Sequence, residues 1–224
     1  MAGRAKTQGF SLIEIMVVMA IIGAMTAVAV PGFSTYFANQ RVKQAARSVA
    51  DVLSLARTEA IRTGRNHVVY FQQDPTGAAL KDGAGNIVPV LMVKDDDGTG
   101  PLPDKNGQVD VGERRVDVRA EPGVNWGVTF ATGAAPGDTG LTANFGTGRT
   151  FKTKTGGAAT SWIVFRPDGV PRGYSTGPYT EGDIGSGGGA VYLTNGRRDY
   201  AIVLTPLGGV EVNLWDPSRG QWRN

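Results

Sequence analysis

Residues 10–30 read FSLIEIMVVMAIIGAMTAVAV, an apolar run of twenty-one residues whose single charge is Glu14. A helix rising 1.5 Å per residue needs about twenty such residues to cross ~30 Å of hydrocarbon, so the run predicts a membrane-spanning helix. Pro31 and Gly32 follow it directly. Proline removes an intrahelical donor and clashes with the preceding turn, which predicts a helix break at this pair.

The charges around the run have a direction. Arg4 and Lys6 precede it, and the formal net charge of +3 is concentrated near the N-terminus. Residues 31–66 hold six basic against two acidic side chains, which leaves the rest of the chain at −2. Basic residues beside an apolar run mark a membrane flank first and a nucleic-acid surface second. Three readings of the run compete: a plain anchor, a signal peptide cut at the A-x-A site Ala27-Val28-Ala29, or a helix that uses an acid near the membrane surface. Glu14 favours the third, because a comparable charge at a helix centre costs ~2.5–3.5 kcal/mol to insert and a mere tag has no use for it.

A short basic leader ending in Gly9, then Phe10-Ser11-Leu12-Ile13-Glu14 opening an apolar helix, resembles the prepilin peptidase recognition sequence of type IV pilins and type II secretion pseudopilins. The resemblance implies a leader over residues 1–9, cleavage between Gly9 and Phe10, and N-methylation of Phe10. It also implies an assembly role for Glu14, which would meet the terminal amine of a neighbouring subunit. Opposite charges attract strongly where the dielectric is low, and either alone is costly to bury. These leaders often carry Lys or Arg before the glycine, where this chain has Gln8. Helix breakers near Pro31 and Gly32 let the helix of such subunits stretch.

Beyond the break, residues 31–65 continue as an amphipathic helix. Val42, Ala46, Val49, Leu53, Ala56 and Ala60 recur at spacings of four and three, a single apolar stripe, and Gly64 with Arg65 signals its end. Counted from Phe10 to Thr63 the helix would be ~80 Å long. Arg41, Lys43, Arg47, Arg57, Arg62 and Arg65 decorate it; a solvated face near anionic headgroups is favoured over a docking surface for acidic partners or DNA. Leu53–Phe71 (LSLARTEAIRTGRNHVVYF) is similar to the segment of the GspH/FimT branch in which the helix turns directly into the first strand.

After Asn66 the pattern is β. Val68–Phe71, Ile87–Val93, Arg115–Arg119, Val124–Phe130, Trp162–Phe165, Ala190–Leu193, Tyr200–Thr205 and Val210–Trp215 are short β-rich runs between turn residues. Hairpin turns are expected at Asn195-Gly196 and Leu207-Gly208-Gly209, and the last strand should have one dry face, Val210, Val212 and Leu214. The runs beginning at Trp162, Ala190 and Tyr200 resemble the closing sheet of the same branch. The expected fold is α+β: a long N-terminal helix, half transmembrane and half amphipathic, packed on an antiparallel β-sheet or β-sandwich over residues 66–224. Surface insertions are expected near 74–115 and 133–160.

Enzyme chemistry is not expected. The chain has no cysteine and one histidine, His67, without a G-x-S-x-G elbow, an H-E-x-x-H helix or a G-x-x-x-x-G-K-[ST] loop. Gly185–Gly189 (GSGGG) reads as a flexible connection. Asp95, Asp97 and Asp104 offer calcium-type oxygens without EF-hand spacing, and a solvated acidic turn is favoured over a metal site, so no cofactor is expected. Arg197, Arg198, Arg219 and Arg223 are candidate contacts for DNA or a protein partner. The −2 charge beyond residue 66, and Gly208–Val212 where the FimT resemblance would place arginines, disfavour DNA. The resemblance implies other pilins, the prepilin peptidase and the bacterial inner membrane as partners. It places the C-terminal domain in the periplasm until the chain joins a pilus or pseudopilus, and it leaves type IV pilus against type II secretion open.

Overall fold

A computed structural model describes residues 10–74, 77–94, 115–176 and 179–224. Among the described residues one helix, α1 (Leu12–Thr63), is followed by eleven strands and a short 3-10 helix (Thr142–Thr147). The strands are β1 (His67–Phe71), β2 (Val90–Lys94), β3 (Arg115–Val118), β4 (Asn125–Trp126), β5 (Trp162–Phe165), β6 (Pro171–Thr176), β7 (Tyr179–Glu181), β8 (Gly189–Thr194), β9 (Asp199–Leu204), β10 (Val210–Asp216) and β11 (Gln221–Arg223). The chain divides into two units, Met1–Ala38 and Asn39–Asn224.

In the first unit the helix shows its apolar residues outward. Leu12, Ile13, Ile15, Met16, Val17, Val18, Met19, Ile21, Ile22 and Met25 are all exposed. Among the described residues, α1 is the one helix long and apolar enough to cross a membrane. The expected break at Pro31 and Gly32 does not end it: α1 runs on through both residues. The proline withdraws one backbone donor, and its neighbouring turns hold the helix together around that gap.

In the second unit the expected stripe is the core. Val42, Ala46, Val49, Leu53, Ala56 and Ala60 are fully buried, joined by Ala45 and Val52. They meet two antiparallel sheets, ordered β3-β2-β1-β5-β6-β7 and β11-β10-β9-β8-β4. The first sheet contributes Val69, Phe71, Val90, Met92, Ile163 and Phe165, the second Val191, Leu193, Tyr200, Ile202 and Leu204. Small alanines on the helix let its backbone come close to both.

Each sheet is dry on its other face too. Val68 and Tyr70 of β1 point away from the helix into a second cluster with Leu80, Val88, Trp162 and Tyr174. Alternate residues of a strand face opposite sides, so a run buried on both sides reads as continuous, as His67–Phe71 does. On the second sheet Ala201 and Val203 meet Ala135 and Tyr192, with Phe145 and Trp222 packed alongside. The segments expected as surface insertions therefore supply part of the interior. Within 133–160, Phe151 is fully buried and stacks on Phe71 at 4.8 Å between ring centres.

Four further expectations are corrected or extended. The strand expected over Val124–Phe130 is only Asn125–Trp126, because Gly127 turns at φ +107° and the amides of Thr129, Phe130 and Ala131 bond the buried Asp199 carboxylate at 2.6–3.0 Å. Gly185–Gly189 is no flexible connection: Ser186 is fully buried, and a Cβ on Gly187 would stand 2.3 Å from the carbonyl carbon of Pro171. Strand β10 has its expected dry face, Val210, Val212 and Leu214, partly buried against the core, but its other face is also buried at Asn213 and Trp215, with only Glu211 exposed. Strands β6, β7 and β11 also lie beyond the expected set. The turns at Asn195-Gly196 and Leu207–Gly209 are where they were expected, Gly196 at φ +75° and Gly208 at φ +84°.

Candidate functional site

The first turn of α1 explains where Glu14 stands. Ser11 precedes the helix, and the amides of Glu14 and Ile15 bond its carbonyl at 3.0 and 3.2 Å. The Ser11 amide points back to Glu14 Oε2 at 3.5 Å. This S-x-x-E arrangement is half of a capping box, a signal that was present in the sequence and that the reading of Glu14 as an intramembrane acid passed over. It also sets a carboxylate at the positive end of the helix.

Phe10, Glu14, Ile15, Val18, Met19 and Ile22 line one shallow groove of ≈ 260 Å³. Glu14 is thus the one ionisable side chain on an otherwise apolar, exposed face. In hydrocarbon or a helix bundle such an acid calls for a cation of its own. Gly9 lies outside the described residues. Phe10 is 81% exposed.

The four candidate arginines gather at one end of the β unit. Arg197 and Arg198 occupy the β8–β9 turn, and with Arg223, Asp216, Trp215 and Phe130 they line a groove of ≈ 630 Å³. Arg223 Nη1 reaches Asp216 Oδ2 at 3.1 Å, and Arg219 Nε stands 3.9 Å from the same oxygen. The Ser218 hydroxyl, donating at 2.6 Å, and then Arg223 hold the Asp216 carboxyl below the usual range. Two of the four arginines are therefore already matched to an acid, while Arg198 sits exposed at the tip.

Asp95, Asp97 and Asp104 lie outside the described residues. Among the described residues no group of three or more His, Cys, Asp or Glu is placed to hold a metal. His67 is buried at the start of β1, with Nδ1 3.2 Å from the Arg65 carbonyl.

Residues 4–30 match the pattern described as the prokaryotic N-terminal methylation motif. The chain is 33% identical over 99 residues to a fimbrial protein of Pseudomonas aeruginosa, covering 41% of this chain and 63% of that one. It is 38% identical over 72 residues to the type IV major pilin protein PilE1 of Neisseria gonorrhoeae, 32% of each chain. It is 38% identical over 62 residues to the type IV major fimbrial protein FimA of Dichelobacter nodosus, 28% of this chain and 38% of that one. The chain therefore spans less than two thirds of the length of these relatives. No solved structure matches it.

A prepilin-type methylation motif on an apolar helix, followed by antiparallel sheets, is an α+β, pilin-like arrangement. In these partial matches the chain is similar to type IV pilins.

Proposed function

We propose that this chain is a minor pilin or pseudopilin of the GspH/FimT branch, a structural and assembly subunit of a type IV pilus or type II secretion pseudopilus and not an enzyme. The prepilin peptidase cuts between Gly9 and Phe10, and Phe10 is N-methylated. The helix holds the subunit in the inner membrane with the β unit in the periplasm until it enters the filament. There the Glu14 carboxylate neutralises the terminal amine of an adjoining subunit and sets axial register.

The observation that carries this reading is Glu14 alone on an exposed apolar face, within the methylation motif of residues 4–30. The branch assignment is supported by the short passage from α1 to β1, only Gly64–Asn66, with Leu53, Ala56 and Ala60 buried before it and all of His67–Phe71 buried after it. Two of the named relatives are major subunits by name, and all three overlap this chain only in part, which leaves room for a minor role. Mass spectrometry of the native chain tests the cut: a mature terminus at methylated Phe10 is expected, and one at Val30 defeats the reading. Glu14→Ala should abolish incorporation into filaments while the β unit stays folded; normal incorporation would also defeat it.

A second reading, a DNA-binding or adhesive tip subunit, has one observation in its favour: Arg197, Arg198 and Arg223 share a groove. Mobility-shift assays across a salt series decide it. Phosphate contacts give binding that falls steeply with salt and that is lost in an Arg197→Ala/Arg198→Ala variant.

A further inference from the structure

Beyond the apolar run, α1 carries three aromatic residues in one unit with it: Phe33, Tyr36 and Phe37, which are 60%, 57% and 56% exposed. At 3.6 residues per turn they fall within an arc of about 100°. Tyr36 and Phe37 meet edge to face, ring centres 5.9 Å apart. In the second unit the first residue of α1 buried in the core is Val42.

Their position in the sequence says what does cover them. Between Glu14 and Arg41 no acidic or basic residue occurs, and the composition changes within that interval from wholly apolar to PGFSTYFANQ, aromatic and small polar together. From Phe10 to Phe33 is about 35 Å at 1.5 Å per residue, just over the ~30 Å hydrocarbon thickness. Aromatic side chains collect at that depth because their rings are apolar while a phenolic hydroxyl wants water, and Tyr36 supplies the hydroxyl. Arg41 and Lys43 follow at the next level out, where anionic headgroups attract cations.

We infer that Phe33, Tyr36 and Phe37 form an interfacial anchor that sits at the phospholipid headgroup level and fixes how far the helix emerges before the subunit enters a filament. The inference rests on the membrane-anchored reading. The anchor sets depth by the cost of moving rings into either water or hydrocarbon. Pro31, just below it, marks the one place where the helix ladder lacks a donor.

The chain has no cysteine of its own, so single spin labels can be placed without removing any. The full chain, labelled at Ile22→Cys or Ser34→Cys, is reconstituted in phosphatidylethanolamine–phosphatidylglycerol vesicles at low protein density, and label depth is read by oxygen and nickel-chelate relaxation. Expected are an Ile22 label in hydrocarbon and a Ser34 label at headgroup depth. In a Phe33→Ala/Tyr36→Ala/Phe37→Ala background the Ser34 label should shift by about one turn, ~5 Å, or spread in depth, while the Ile22 label stays in hydrocarbon. Near-ultraviolet circular dichroism of the four tryptophans, all in the β unit, should not change.

A Ser34 label that keeps its depth in the alanine background overturns the anchor and leaves the membrane reading intact. Dipolar broadening between Ser34 labels with native aromatics overturns it in favour of a second copy covering the rings. An Ile22 label in water overturns both readings.

Discussion

Arg57 of α1 donates from Nη1 to the carbonyl oxygen of Gly208, 3.0 Å away and 151 residues later, fastening the end of the helix to the β9–β10 turn. The turn is shaped to receive it. Gly208 holds φ +84°, and a Cβ there would stand 2.7 Å from the Gly169 carbonyl and 3.1 Å from Arg57 Nε. Two turns from different parts of the second unit thus close around one guanidinium, in a pocket too tight for any side chain but glycine's.

Replacing Arg57 by alanine removes a charge-assisted bond to a buried carbonyl, and unfolding free energy should fall by about 1.5–3 kcal/mol. Gly208→Ala should cost as much or more, because it adds an unfavourable φ to a clash with backbone. Urea titration of the full chain in detergent, followed by tryptophan fluorescence, measures both. A loss under about 0.5 kcal/mol for either, the size of an ordinary surface change, would mean the clasp contributes nothing.

Asp199 is a buried carboxylate whose acceptors are taken by the amides of Thr129, Phe130 and Ala131. Asp199→Ala leaves those donors without a partner, and a loss of roughly 2–4 kcal/mol follows if the loop cannot reach water. Hydrogen exchange should report it locally, the three amides exchanging far faster while those of β9 exchange as before, relative to global stability.

How much of this the sequence disclosed divides along the range of the interactions. The helix stripe, Trp162–Phe165 and the Asn195-Gly196 turn depend on near neighbours and periodicity, and they stand where expected. The Val124–Phe130 strand failed because an acid about seventy residues away captures its amides, which no local pattern announces. Gly185–Gly189 failed for the same reason: its glycines answer to Pro171 and Phe151, contacts that only the fold creates. At the candidate site Glu14 was legible because charge in an apolar run is conspicuous. Its cap to Ser11 was equally legible and was overshadowed by that charge.

The glycine run gives its own test. A Cβ on Gly189 would lie 2.7 Å from the Phe151 ring, so Gly189→Ala must displace an aromatic that stacks on Phe71 in the main core. Overpacking of this kind costs about 1–3 kcal/mol. A control at Gly196, exposed and with open space around it, should tolerate Asn with a much smaller loss, since Asn accepts a left-handed backbone. Equal losses at the two sites would return the run to the status of a loose linker.

Tyr192 predicts an alkaline limit. Burial first, and then the Asp138 carboxylate at 2.7 Å, push its phenol above the ordinary value. A raised folded-state pKa means stability fully present below the unfolded value near 10, and lost as pH rises above it. Thermal midpoints should hold level to about pH 9.5 and then decline. Tyr192→Phe should flatten that decline while lowering the plateau, because Asp138 and the Ala135 amide lose a partner. An unchanged alkaline slope in the phenylalanine variant would assign the decline to other groups.

Substitution can separate the cap that Glu14 makes from the assembly role proposed for it. As a cap it needs only an acceptor for the Ser11 amide, which glutamine supplies as well as glutamate. As the partner of a terminal amine it needs its charge, and the 3.5 Å separation from Ser11 makes the cap the weaker role. Glu14→Gln should therefore leave the helix content and membrane insertion of the full chain unchanged and reduce filament incorporation at least tenfold, a difference of about 1.4 kcal/mol. Ser11→Ala keeps the amide and the acid and should incorporate normally. If Glu14→Gln assembles as well as the parent, the carboxylate serves its own helix and register is set elsewhere along the apolar face.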